Sequence, residues 1–134
     1  MAVLRLSTVA RNALANALKT SIDAGAGAGT IKIYSGSQPT TPQDAPTGTL
    51  LVTLNFSDPS FGAAATGVIT AAAIAQVNAV ATNTAGYARI ADSDGNAIMD
   101  VDVGTSGATI NLNTTSIVSG GPVSITSATI TMPQ

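Results

Sequence analysis

Asp92, Asp94 and Asn96 flank Gly95 at alternating positions. That spacing invites comparison with a calcium loop. An EF-hand loop takes oxygen ligands at positions one, three and five, glycine at six and glutamate at twelve. Here the glycine falls fourth, and all seven acidic residues of the chain are aspartates. The segment therefore reads as a turn, with no metal ligands assigned. Asp-Ser-Asp-Gly also differs from the Asp-Ser/Thr-Gly triplet of aspartic proteases, and no second motif accompanies it. Asp100 and Asp102 sit two apart and so share one face of a strand. Paired carboxylates can hydrolyse glycosides, but far more often such residues form the solvated face of a half-buried strand, which is the reading taken for them. Lys19 and Lys32 are the only lysines, and nothing in the sequence sets a serine beside either. Cysteine, histidine and tryptophan are absent, which excludes a thiolate nucleophile, a Ser-His-Asp triad and a Cys/His zinc site. Gly25, Gly27 and Gly29 follow a helical pattern and precede a strand, the reverse of the order in a dinucleotide-binding turn. We assign no catalytic residue, no cofactor and no metal, and read the chain as a protein other than an enzyme.

The charge inventory points the same way. Among 134 residues, charged side chains make up 9% and the net charge is −2, against about 25% charged in an ordinary soluble domain. Ala, Thr, Ser and Gly fill the difference. A surface so poor in charge is weakly protected from association. Either part of it is covered by other subunits, or Thr, Ser and Asn supply enough polarity. Five basic residues and four Phe/Tyr in an acidic chain do not make a nucleic-acid surface. No apolar run approaches the ~20 residues of a membrane span. Arg11, Asn12 and Asn16 interrupt what would otherwise be the apolar core of a signal peptide.

Most of the length is patterned for strands. Residues 7–22 come first, as an amphipathic helix with Leu6, Val9, Ala10, Ala13, Leu14, Ala17, Leu18 and Ile22 at helical spacing. Ser7 or Thr8 can cap it. Its other face carries Arg11, Asn12, Asn16 and Lys19. Arg5, Arg11 and Lys19 either face a negative partner or are simply solvated. Leu14 and Leu18 are expected to anchor the helix on another subunit or along the outside of the β-domain. These five residues, Arg5, Arg11, Leu14, Leu18 and Lys19, form the candidate partner-binding set. The glycines at 25–29 make a flexible joint, which divides the chain into 1–29 and a β-domain of 30–134.

Beyond the joint the period becomes two. Thr30–Tyr34 and Leu50–Phe56 read as strands, separated by a Pro-rich surface loop over 36–48. For 67–82 the many alanines allow a helix, while Gly67, Thr70 and the Val-Asn-Ala-Val alternation favour two short strands or one bent strand. Asp94-Gly95 between alternating runs marks a hairpin. With these two residues at the centre of a type I′ turn, Ser93 faces Asn96, Ile90 faces Met99, Ala88 faces Val101, Arg89 faces Asp100 and Tyr87 faces Asp102. A centre one residue later brings Arg89 opposite Asp102 instead. Residues 108–113 form another strand. The alternation in 123–132 slips by one, which places a bulge near Thr126 or Ser127. Seven or eight short strands suggest an antiparallel jelly-roll-like β-sandwich behind one helix.

From Ala85 onward, Tyr-Ala-Arg-Ile, the Asp-Ser-Asp-Gly turn, Val-Gly-Thr-Ser-Gly, Asn-Leu-Asn, Ile before Gly-Gly and a final Val-Ser-Ile-Thr strand follow in order. Over about residues 30–134 this series resembles small virion proteins of tailed bacteriophages, in particular jelly-roll cement or decoration proteins of capsids. The VARNALANAL helix before a Gly-rich joint is similar too. The resemblance implies no catalytic residue. It implies a homo-oligomer, dimer or trimer, that binds the major capsid protein and stabilises the head. Its location would be the capsid exterior, and the host cytoplasm during assembly. A tail or head–tail connector subunit is the alternative within virions. A carbohydrate-binding jelly roll is the alternative outside them, though such modules present exposed Trp or Tyr and this chain has only Tyr34 and Tyr87.

Overall fold

The computed structural model describes residues 4–133. It is mainly β, with one N-terminal helix. Helix α1 spans Thr8–Ile22, and the Ser7 hydroxyl caps it by accepting the Ala10 N–H at 3.2 Å. The strands are β1 (Thr30–Tyr34), β2 (Leu50–Asn55), β3 (Val68–Thr70), β4 (Val77–Asn78), β5 (Asn83–Thr84), β6 (Tyr87–Ala91), β7 (Ala97–Gly104), β8 (Ile110–Leu112), β9 (Ser116–Ile117), β10 (Pro122–Val123) and β11 (Ile125–Thr131). Seven of them form one curled sheet in the order β2-β1-β6-β7-β8-β11-β3, and β10-β4 and β5-β9 form two short ladders. The ladder residues Ile117 and Val123 belong to the same buried cluster as Ile31, Ile33, Leu54 and Ile90 of the large sheet. This arrangement is compatible with a β-sandwich of jelly-roll type. Ala15 and Ile22 of α1 lie fully buried in that cluster too, so helix and strands share one core.

Pairing in the large sheet is antiparallel except between β7 and β8, which run parallel over Val103↔Ile110 and Gly104↔Asn111. Parallel neighbours normally need a crossover of a dozen residues or more. This contact is short enough for the 105–109 connection to manage it. The Asp102 carboxylate accepts the Thr109 N–H and hydroxyl, and the Asn111 amide bonds both backbone groups of Ala108.

Two bulges lie outside the hairpin, in β11 and in the edge strand β2. At β11 the register passes from Ile125↔Leu112 to Ser127↔Asn111, which leaves Thr126 as the extra residue, as the slipped alternation predicts. At β2 it passes from Ile33↔Val52 to Tyr34↔Leu50. Leu51 is the unmatched residue there, and it is fully buried alongside Val52. The buried set is therefore Leu51, Val52 and Leu54 of β2, with Phe56 just after it.

The hairpin keeps the expected strand register: Ala88↔Val101, Arg89↔Asp100, Ile90↔Met99 and Tyr87↔Asp102. Its turn is different. Asp92 pairs with Asn96 through an N–H to carbonyl bond, and the Gly95 N–H bonds the Asp92 carbonyl. Gly95 has φ 89°, while Asp94 has no positive φ, so a type I′ turn is excluded. This is a three-residue loop with a left-handed glycine. The shift between Ile90 and Ala91 restores the outer register.

Candidate functional site

The aspartates that invited a chemical reading are engaged in holding the fold. The Asp92 side chain turns inward and accepts the Asp94 N–H, the Asn96 N–H and the Asn96 amide at 2.9–3.1 Å. Those bonds, with Asn96 the largest contributor, hold its carboxyl below the usual range. Asp102 ties down the 105–109 connection, as described above. Among the described residues no group of three or more acidic side chains is placed to hold a metal ion.

Asp100 departs most from its sequence reading. Its carboxylate pairs with Arg89 through two bonds, Nε–Oδ1 at 2.8 Å and Nη2–Oδ2 at 3.0 Å. The two side chains are only 9% and 4% exposed. The pairing is the one expected, but it does not lie on a solvated face. The cover is the 36–48 loop, which folds over the outer side of the sheet as a strap. The Asp44 carbonyl accepts from Arg89 Nη1 at 2.8 Å, and the Tyr87 hydroxyl bonds both the N–H and the carbonyl of Thr47 at 3.0 Å. Beneath the strap Tyr34 and Tyr87 stack at 5.3 Å with a 13° tilt. Burial, then Tyr87, push the Tyr34 phenol up. With Ala88 and Ile90 in the core and the strap over Tyr87 and Arg89, every residue of β6 is buried, and the two tyrosines are not presented as a sugar-binding platform.

The glycines of the joint are close-packed. Ser93 of the hairpin turn accepts the Gly27 N–H and donates to the Ala24 carbonyl. A Cβ on Gly29 would stand 2.7 Å from the Ala91 carbonyl oxygen. The segment clasps the hairpin rather than swinging freely.

The partner-binding set does not assemble on one face. Arg5 is exposed. Arg11 is buried and donates to the Met132 carbonyl at 3.0 and 3.3 Å. Lys19 is half-buried and pairs with Asp23 at 3.2 Å. Leu18 packs against the core, while Leu14 remains 46% exposed and anchors nothing within the subunit.

Helix α1 is thus rotated from its hydrophobic pattern: Leu18 and Ile22 of the stripe face the core, but Val9, Ala13, Leu14 and Ala17 do not. Three polar side chains reach the β-domain: Asn12 accepts the Gly67 N–H at 2.8 Å, Asn16 accepts the Ala64 N–H at 3.2 Å, and Asp23 accepts the Ser60 N–H at 2.9 Å. Burial raises the Asp23 carboxyl, but Ser60 and Lys19 outweigh it and leave the net shift downward. The reason for the rotation is the segment at 60–67. Its backbone donors need acceptors, and a buried N–H without one costs as much as a lost hydrogen bond. At about 100° per residue, Val9, Ala13, Leu14 and Ala17 then point outward, with the half-buried Ala10 among them. Val9 is 80% exposed and Leu4, just before the helix, 77%. This uncharged apolar face is the main candidate site on the molecule. No helix among the described residues is long and apolar enough to cross a membrane.

No family model, curated protein or solved structure matches the chain.

Proposed function

We propose that the protein is a structural subunit of a bacteriophage virion. In this reading it is a capsid cement protein that binds the major capsid protein and its own copies on the outside of the head. The observation that carries the reading is the outward apolar face of α1. A helix that uses its asparagines and arginine internally and leaves Val9 and Leu14 in water is built to be covered by another subunit. The low charge of the chain and the resemblance of residues 30–134 to virion proteins support the same reading. Aspartates tied up in turns and ion pairs fit a role without catalysis. Cement action follows from mass action: a protein that binds only the assembled shell stabilises that shell.

Heads made with and without the chain test this. The chain is expected at a fixed copy number in purified heads. Heads lacking it should release DNA at lower temperature, and adding back the purified chain should restore them. Equal stability of the two preparations, or recovery of the chain only in tails, would overturn the reading.

A further inference from the structure

We propose that the outward face of α1 pairs with the same face of a second copy, antiparallel, around a twofold axis between Ala13 and Leu14. This deepens the virion reading and rests on it for its setting. Val9, Ala10, Ala13, Leu14 and Ala17 occupy an arc of about 140° at 3.6 residues per turn, which the exposed Thr20 and Ser21 continue in the last turn with their hydroxyls bonded to the helix's own carbonyls. The three alanines form a shallow floor, with the exposed Val9 and Leu14 standing as ridges on either side. Such a floor lets two helix axes approach to about 8 Å. No charge lies on the arc: Arg11 is buried against Met132, and Lys19 is paired with Asp23. Like can therefore meet like without repulsion.

Charge at the helix ends selects the second copy and its direction. The first turn of α1 holds no acidic residue, its last turn ends at Asp23, and Arg5 lies exposed just before the start. Arg5 thus sits near the positive end of its own helix dipole, where a cation is unfavourable. Antiparallel pairing with Ala10 opposite Ala17 and Ala13 opposite Leu14 brings Arg5 of one copy level with the C-terminal end of the other helix. There it meets the negative end of the dipole. Parallel pairing would set the two Arg5 side chains together. A twofold contact of this kind is self-complementary, as an isologous interface must be. The helix face is smaller than the ~800 Å² per partner of a standard stable interface. The pairing is therefore weak between free subunits and is strengthened by the high local concentration on a shell.

The chain has no cysteine, so engineered thiols report the register cleanly. A concentrated mixture of Ala10→Cys and Ala17→Cys chains, mildly oxidised, should give several-fold more disulfide dimer than either variant alone. In the antiparallel register, two copies of Cys at position 10 lie about 10 Å apart along the axis, beyond the ~7 Å Cα reach of a disulfide. Adding Leu14→Asp to both chains should abolish the cross-link. Self-linking of Ala10→Cys as efficient as mixed linking would overturn the proposal. So would the absence of any cross-link in folded variants. If a cysteine disturbs folding, the unmodified chain still decides. Concentration-dependent NMR shifts confined to residues 4–23 support the pairing, and shifts elsewhere or none overturn it. A negative result here alongside head binding would leave the cement reading standing with the helix face covered by the capsid protein instead of a second copy, so the two failures are distinguishable.

Discussion

Replacing Asp100 by alanine should destabilise the fold by about 3–5 kcal/mol, the cost of breaking a buried ion pair by removing one partner. The size follows from the geometry. Arg89 loses two charge-assisted bonds of 2.8 and 3.0 Å at a site where its side chain is 9% exposed. Only the bond from Nη1 to the Asp44 carbonyl remains for the guanidinium, and water cannot replace the rest while the strap stays closed. Urea denaturation measures the effect as a fall in the unfolding midpoint with an unchanged slope. The double variant Arg89→Met with Asp100→Leu should recover most of the loss, because it removes both charges and fills the space with apolar atoms. A cost below about 1 kcal/mol for Asp100→Ala would place the pair among solvated surface bridges. It would refute the claim that the strap shields them.

Ile22→Ala should cost about 2–5 kcal/mol in the same assay, because Ile22 is fully buried in the core shared with the strands; a negligible cost would separate the helix from that core. Stability should hold from neutral pH downward and then fall below about pH 4. Asp23 and Asp92 have lowered folded-state values, so their contribution is present above the unfolded value and lost as pH drops through the folded one. Asp23→Asn should flatten that acid limb, and an unchanged limb would contradict the assignment. Calorimetric titration with calcium should show no binding tighter than about 1 mM, since the Asp92 carboxylate is already saturated by the loop; micromolar binding would reverse the turn reading.

Local pattern carried the helix limits, β1, the hairpin register and the Thr126 bulge, because each depends on residues near in sequence. The hairpin register emerged correctly even though the turn type did not. The left-handed Gly95 and the shift at Ala91 compensate each other. What local pattern misses is set by distant backbone. The rotation of α1 answers to unpaired donors at Ser60, Ala64 and Gly67, roughly fifty positions away and in a segment with no periodicity. Alanine gives little guidance, being at home on either side of a helix. The shielding of Asp100 depends on the Pro-rich strap, and nothing in a run of Ser, Thr, Gln and Pro says that it folds back over β6. One available sign was Tyr87 on the same parity as Arg89: an aromatic residue on the supposedly wet face of a strand. The clasp at the joint is likewise tertiary. Glycine permits both flexibility and close approach, and the approach of Ser93 decides between them.

The most direct test of the account is an electron-microscopy reconstruction of the assembled phage particle. The β-domain is expected on the outer surface of the capsid at regular positions, with Val9, Leu14 and Ala17 covered by a neighbouring subunit. The chain found in the tail, absent from the particle, or seated on the capsid with that helix face open to solvent would contradict it.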